Sequence, residues 1–220
     1  MMKIFPGIIG GVALAACSQV SPENPPAVEV SAAPEIAETT SGGPEDISHL
    51  SAEWQIEAYS TAGPSFIGEN ATILSVDGTV LREGTNGWTC MPGNPRPVPE
   101  GGWGSAHEAM PVCGDSEAFK WMMAYMNNTE HDMLHDGYMW MLHGDMGEDN
   151  TKAGVLNKAD AEDPANWIES GAHLMRMPKD PSSLDGMTTD FRSGAPYVMF
   201  SGTPWAHLMI PVEGYYDYSE

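Results

Sequence analysis

The chain of 220 residues carries 31 acidic against 9 basic side chains, a formal net charge of −22. A polyanion of this kind is repelled by phosphate backbones and by anionic membrane surfaces, which excludes attachment to either through a basic patch. Apolar residues make up 41% of the chain, and all seven tryptophans and all seven tyrosines fall between residues 46 and 220, enough to build one core there.

The N-terminus reads as a targeting segment. Lys3 precedes an apolar run over residues 4–16 that is too short to span a bilayer, and Pro6, Gly7, Gly10 and Gly11 make it a poor helix for a soluble core. Val12-Ala13-Leu14-Ala15-Ala16-Cys17-Ser18 resembles the lipobox of bacterial lipoproteins. The resemblance implies that residues 1–16 are a signal peptide and that Cys17 receives diacylglycerol, attaching the protein to a membrane. Ser18, in place of Asp, implies outer-membrane sorting in the cell envelope of a Gram-negative bacterium. Loss of Lys3 alone with the signal peptide leaves a mature charge of −23.

Residues 17–45 follow as a tether. From residue 18 onward this stretch holds five prolines and five glutamates, no Lys or Arg and no aromatic residue. Such a segment cannot bury enough apolar surface to offset the entropy of ordering. With Cys17 acylated, Cys90 and Cys113 are the thiols left in an oxidising compartment, so a disulfide is expected. A nucleophilic cysteine is the rival reading, but neither thiol has a flanking base or redox-type spacing.

Residues 46–220 read as an α+β domain, an antiparallel or mixed sheet of about six short strands with two principal helices. Ile47, Leu50 and Trp54 repeat at helical spacing behind Asp46 and Ser48, and Gly63-Pro64 ends the pattern. Residues 71–76 and 79–83 flank Asp77-Gly78 as a hairpin with a two-residue turn, and Asn86-Gly87 leads into a third strand of a meander. Asp115 is placed to cap a helix with Phe119, Met122, Met123 and Met126 on its apolar stripe and Asn127-Asn128 as its stop. Thr129 and Asp132 allow one further helical turn. Residues 138–143 alternate as a central strand, and residues 144–166 form a long acidic connection without the spacing of a calcium loop.

A short internal echo follows. Ala172-His173-Leu174-Met175 returns as Ala206-His207-Leu208-Met209, and residues 197–200 form a strand between them. Alternation sets Met139, Met141 and His143 on one side of their strand, His173, Met175 and Met177 on one side of theirs, and His207 with Met209 likewise. If those sides coincide, the sheet presents a layer of thioethers and imidazoles to the Met-rich helix. One reading is a core in which methionine fills uneven gaps and each histidine bonds to a carbonyl. The sharper one is a copper site, because thioether with imidazole favours a soft metal. His131 and His135, at i and i+4 around Met133, would extend it if that turn is helical.

Hydrolytic and phosphate-binding motifs are missing from the sequence: no Gly-x-Ser-x-Gly, His-Glu-x-x-His, Ser-x-x-Lys or Gly-rich loop with Lys. Ser105 lies near His107, but neighbours in sequence seldom form a catalytic pair. The motifs Gly84-Thr85-Asn86-Gly87-Trp88-Thr89-Cys90, Pro111-Val112-Cys113, Gly171-Ala172-His173 and Ala206-His207-Leu208-Met209-Ile210-Pro211-Val212 resemble an uncharacterised family of secreted bacterial proteins, which implies a shared domain and supplies no catalytic role to carry over. The leading expectation is a non-enzymatic envelope lipoprotein that binds a small ligand or a partner protein and needs no cofactor. The alternatives are copper binding or buffering and a hydrolase of unrecognised type.

Overall fold

The computed structural model describes residues 48–218. The segments expected as signal peptide and tether, with Cys17 as the expected acylation site, and Ile47 lie outside the described residues.

The first helix, α1 (Ala52–Ser60), starts later than its apolar spacing suggests, because Ser51 is the residue whose hydroxyl accepts the Trp54 N–H, at 3.2 Å. Leu50 is left exposed before the helix, and Ala58, Tyr59 and Ala62 form the buried contact instead. A single turn, α2 (Ser65–Gly68), follows Pro64.

Strands β1 (Thr72–Leu74) and β2 (Val80–Arg82) pair antiparallel across Asp77-Gly78. The connection is wider than a two-residue turn, since Ser75 N–H donates to the Thr79 carbonyl at 2.9 Å and Gly78 takes φ 82°. The expected meander does not form. Strand β3 (Thr89–Pro92) lies on the other side of β1 and runs parallel to it. After β2 the backbone passes across the start of β1, where Thr85 N–H bonds the Asn70 carbonyl. A Cβ on Gly84 would lie 2.2 Å from the Thr72 nitrogen, so only glycine permits this crossing.

Strand β4 (Pro111–Gly114) returns antiparallel to β3 after the turn of α3 (Ala106–Ala109), with Cys90 opposite Cys113 and their sulfurs bonded at 1.97 Å. Helix α4 (Ser116–Met126) is capped by Asp115, whose carboxylate accepts from Ala118 N–H at 2.8 Å and from Tyr138 N–H at 3.0 Å. Those two bonds tie the helix start to β5 (Gly137–Met141). The buried stripe is Ala118, Trp121 and Met122, not the expected Phe119–Met126 set; Met123 and Met126 are 52% and 61% exposed. No helical turn follows over residues 129–133. The buried Glu117 carboxylate takes the Leu134 N–H at 2.5 Å and holds this stretch extended along the helix.

The acidic connection contains β6 (Glu148–Asp149), paired with β7 (Trp167–Ile168) as a two-stranded sheet. The echo segments become β8 (His173–Met177) and β10 (His207–Pro211), with β9 (Tyr197–Met199) at the edge. Among the described residues, eight strands form one mixed sheet in the order β2-β1-β3-β4-β5-β8-β10-β9, more than the six expected. Helix α1 packs with Cys90, Cys113 and Ile73 into one core, and α4 packs with Val112, Met139 and Met175 into another.

The disulfide closes a sequence separation of 23 residues. On the chain-entropy view, the double variant Cys90→Ala with Cys113→Ala should lose about 3 kcal/mol of unfolding free energy. Urea denaturation of the two proteins measures it.

Candidate functional site

The α4-facing side of the sheet is a consequence of register. Met139 on β5 opposes Met175 on β8, and Met175 opposes Met209 on β10, so three thioethers cross the sheet in one row. In the flanking rows Met141 opposes His173 and Met199 opposes His207. The alternate residues Leu174, Arg176 and Leu208 face the other way. Helix α4 covers this layer incompletely. A cavity of about 180 Å³ remains, lined by nine methionines, by His173 and His207, by Trp121, Tyr125 and Phe200 from above and beside it, and by Asp145 and Glu148.

Both imidazoles are held alike. His173 Nδ1–H donates to the carbonyl of Gly171 at 2.6 Å, and His207 Nδ1–H donates to that of Trp205 at 3.0 Å, in each case two residues back. Each Nδ1 is thereby occupied and Nε2 carries the lone pair. The two rings are 1% and 3% exposed, and burial lowers both basicities, His207 to about 4. Gly171 is fixed in turn: its N–H bonds the Tyr215 carbonyl, and a Cβ there would meet the Gly214 oxygen at 2.3 Å. His207 lies in an aromatic box, edge-on to Trp121 at 4.8 Å and to Phe200 at 5.4 Å between ring centroids.

The other end of the cavity is acidic. Asp145 accepts from the N–H groups of Gly147 and Ser170, at 2.9 and 3.2 Å, and from the Ser170 hydroxyl. Burial pushes its carboxyl up, while the charge of His173 opposes the rise. Glu148 accepts from the Tyr125 hydroxyl and from Gly154 N–H; burial, reinforced by the charge of Asp145, raises it to about 7. Arg96 is the one cationic side chain on the lining, and its guanidinium is spent on the carbonyls of Gly147 and Leu156 and on the Met110 sulfur. Met110 and Phe200 hold left-handed backbone, φ 49° and 55°, and both line the cavity. Such conformations cost about 1–3 kcal/mol each and persist where surrounding structure enforces them.

The remaining candidates do not join this site. His143 lies beyond the end of β5, where the chain turns, and its Nε2 contacts the Thr61 hydroxyl at 2.8 Å beside α1. His131 lies in a shallow groove along the outer face of α4, and exposed His135 bonds the Asp136 carbonyl. Without a helical turn they share no face. Ser105 caps α3 through Glu108 N–H, and His107 donates to the His143 carbonyl at 2.7 Å while stacking on Tyr218, so they form no catalytic pair. Among the described residues no three of His, Cys, Asp and Glu converge as a metal site. Composition alone carries no signal for Asp145, Glu148 or Tyr125. Met199 was visible only as a strand residue whose partner was unknown.

A second, more open cleft of about 550 Å³ is bordered by Lys158, Trp167, Arg192 and Tyr216. Arg192 donates there to the Ala165 carbonyl. No family model, no curated protein and no solved structure matches the chain.

Opposite pH responses follow from the two shifted groups. Glu148 rises from 4.5 to about 7, so the folded protein keeps a proton that the unfolded chain sheds, and this contribution to stability is lost as pH rises from 4.5 through about 7. His207 falls from 6.5 to about 4, so the unfolded chain takes up a proton that the fold refuses, and stability falls as pH drops through that window. Glu148→Gln should flatten the decline on the alkaline side in urea titrations at several pH values. Imidazole ¹⁵N spectra at pH 6 should show His207 as the neutral Nδ1–H tautomer.

Proposed function

We propose that this chain is a lipid-anchored protein of the cell envelope, attached through Cys17 to the outer membrane, whose domain binds a small ligand without catalysing a reaction. The anchor rests on the lipobox resemblance, and the tether composition supports a domain held away from the bilayer. The single observation that carries the binding reading is the cavity between α4 and the methionine face. Ligand sites are concave and mostly apolar with a few fixed polar groups. Here the polar groups are two imidazoles oriented by carbonyls and a carboxylate end at Asp145 and Glu148.

The size limits the ligand. Apolar cavities of about 150 Å³ accept benzene, so a space of about 180 Å³ takes a molecule of a few heavy atoms or an ion with its ligands drawn in. The hydrolase reading called for Ser105, His107 or carboxylates to converge in one cleft; Ser105 and His107 are engaged elsewhere, which leaves it the carboxylates alone.

Benzene tests whether the space is accessible. At tenfold excess over its dissociation constant it should raise the melting temperature by roughly 3–5 °C, the shift expected for linkage of about 1.4 kcal/mol in a domain of this size. Methyl spectra of labelled methionine should show Met139, Met175 and Met209 moving while Met123 stays. A set of cavity methyls unmoved by saturating benzene would refute the binding reading.

A further inference from the structure

The chemistry of the lining narrows the ligand class beyond the reading above, on which this inference rests. Nine thioethers surround the cavity, and thioether sulfur is a soft donor that binds monovalent copper, whereas magnesium and calcium take oxygen donors and zinc takes thiolate, imidazole and carboxylate. The lack of a convergent His, Cys, Asp and Glu set among the described residues does not bear on the thioether sulfur of methionine.

Register decides which imidazole serves. His173 stands level with Pro211, and His207 lies four residues from Pro211 on the neighbouring strand, so their Cα positions are set off by about 13 Å along the strands at 3.3 Å per residue. The two imidazoles enter the cavity from opposite sides of the Met139–Met175–Met209 row. At the His207 end, Met199 is the direct cross-strand neighbour and Met209 lies two residues on along the same face. Opposed Cβ atoms lie about 5 Å apart, within the span that two thioethers and an imidazole close around one ion. His207 Nε2 is the nitrogen left free by the bond from Nδ1 to Trp205, the arrangement that orients a metal-binding histidine. Trp121 and Phe200 wall this end with aromatic carbon, which excludes water and suits a cation of low charge. The His173 end differs, because Asp145 adds a carboxylate there.

We propose that the cavity binds one monovalent copper ion through Nε2 of His207 and the thioethers of Met199 and Met209. No electron is transferred on binding; the donors are the Nε2 lone pair left by the Nδ1 bond to Trp205 and the two thioether sulfurs.

The purified full-length protein is titrated anaerobically with copper(I) in competition with the coloured chelator bicinchoninate. It should withdraw one equivalent, and X-ray absorption should find nitrogen and sulfur neighbours. The double variant Met199→Leu with Met209→Leu keeps the core volume and removes both sulfurs; it should keep its melting temperature within a few degrees and bind copper at least about tenfold more weakly. His207→Ala should weaken binding by a similar factor, and His143→Ala, outside the cavity beside Thr61, should leave it unchanged. Failure to withdraw copper, or full retention by the double Leu variant, overturns the proposal. Loss of binding in His173→Ala with retention in His207→Ala overturns this assignment of ligands. A benzene-induced shift of the cavity methyls in a protein that takes no copper would sink this inference and leave the small-ligand reading standing.

Discussion

The in-register pairing of β8 with β10 is the constraint on which the rest of the molecule depends. Because side chains alternate with a period of two, setting Met175 opposite Met209 sends every His and Met of both echo segments to the α4 side. A slip of one residue would exchange them for Leu174, Arg176, Leu208 and Ile210. The register is protected from both sides. Arg176 points away from the cavity to an ion pair with Asp136, at 2.6 Å, and Leu208 packs against the small outer core of Leu184, Val198 and Ala206. The same pairing carries outward to β5 and β9, so Met139, Met141 and Met199 are placed by strands they do not share.

Within that layer the polar groups are positioned by main chain. A buried imidazole with both nitrogens unpaired would be costly. The carbonyl two residues back satisfies one nitrogen of each ring and turns the other toward the cavity, and the repetition of this device in His173 and His207 follows from the repetition of the sequence around them. Asp145 is treated similarly, with three donors from Gly147 and Ser170. The strained backbone at Met110 and Phe200 belongs to the same scheme, since both residues are held where they border the cavity.

The two faces of the sheet are packed by different means. On the α1 side, alanines, Tyr59 and the Cys90–Cys113 bridge fill a small core closely. On the α4 side the fill is methionine, unbranched and adaptable, and the helix presents Ala118, Trp121 and Met122 in place of its full methionine stripe. The space this leaves is what distinguishes this layer from the core on the α1 side.

Local chemistry in the sequence was enough to specify the α+β class, the Asp115 cap, the central strand through Met139, the cross-linked cysteine pair and the shared face of the two echo segments. Apart from the cysteine pair, which follows from there being two thiols left to join, these rest on near-neighbour rules, a cap three residues from its N–H or a period of two along a strand. The parallel placement of β3, the rotation of the α4 stripe, the departure of His143 toward Thr61 and the arrival of Met199, Asp145 and Glu148 at the cavity were decided only by tertiary structure. They depend on which strand lies beside which, and on close backbone passages such as the one at Gly84. Contacts between residues far apart in the chain leave no periodic trace in it.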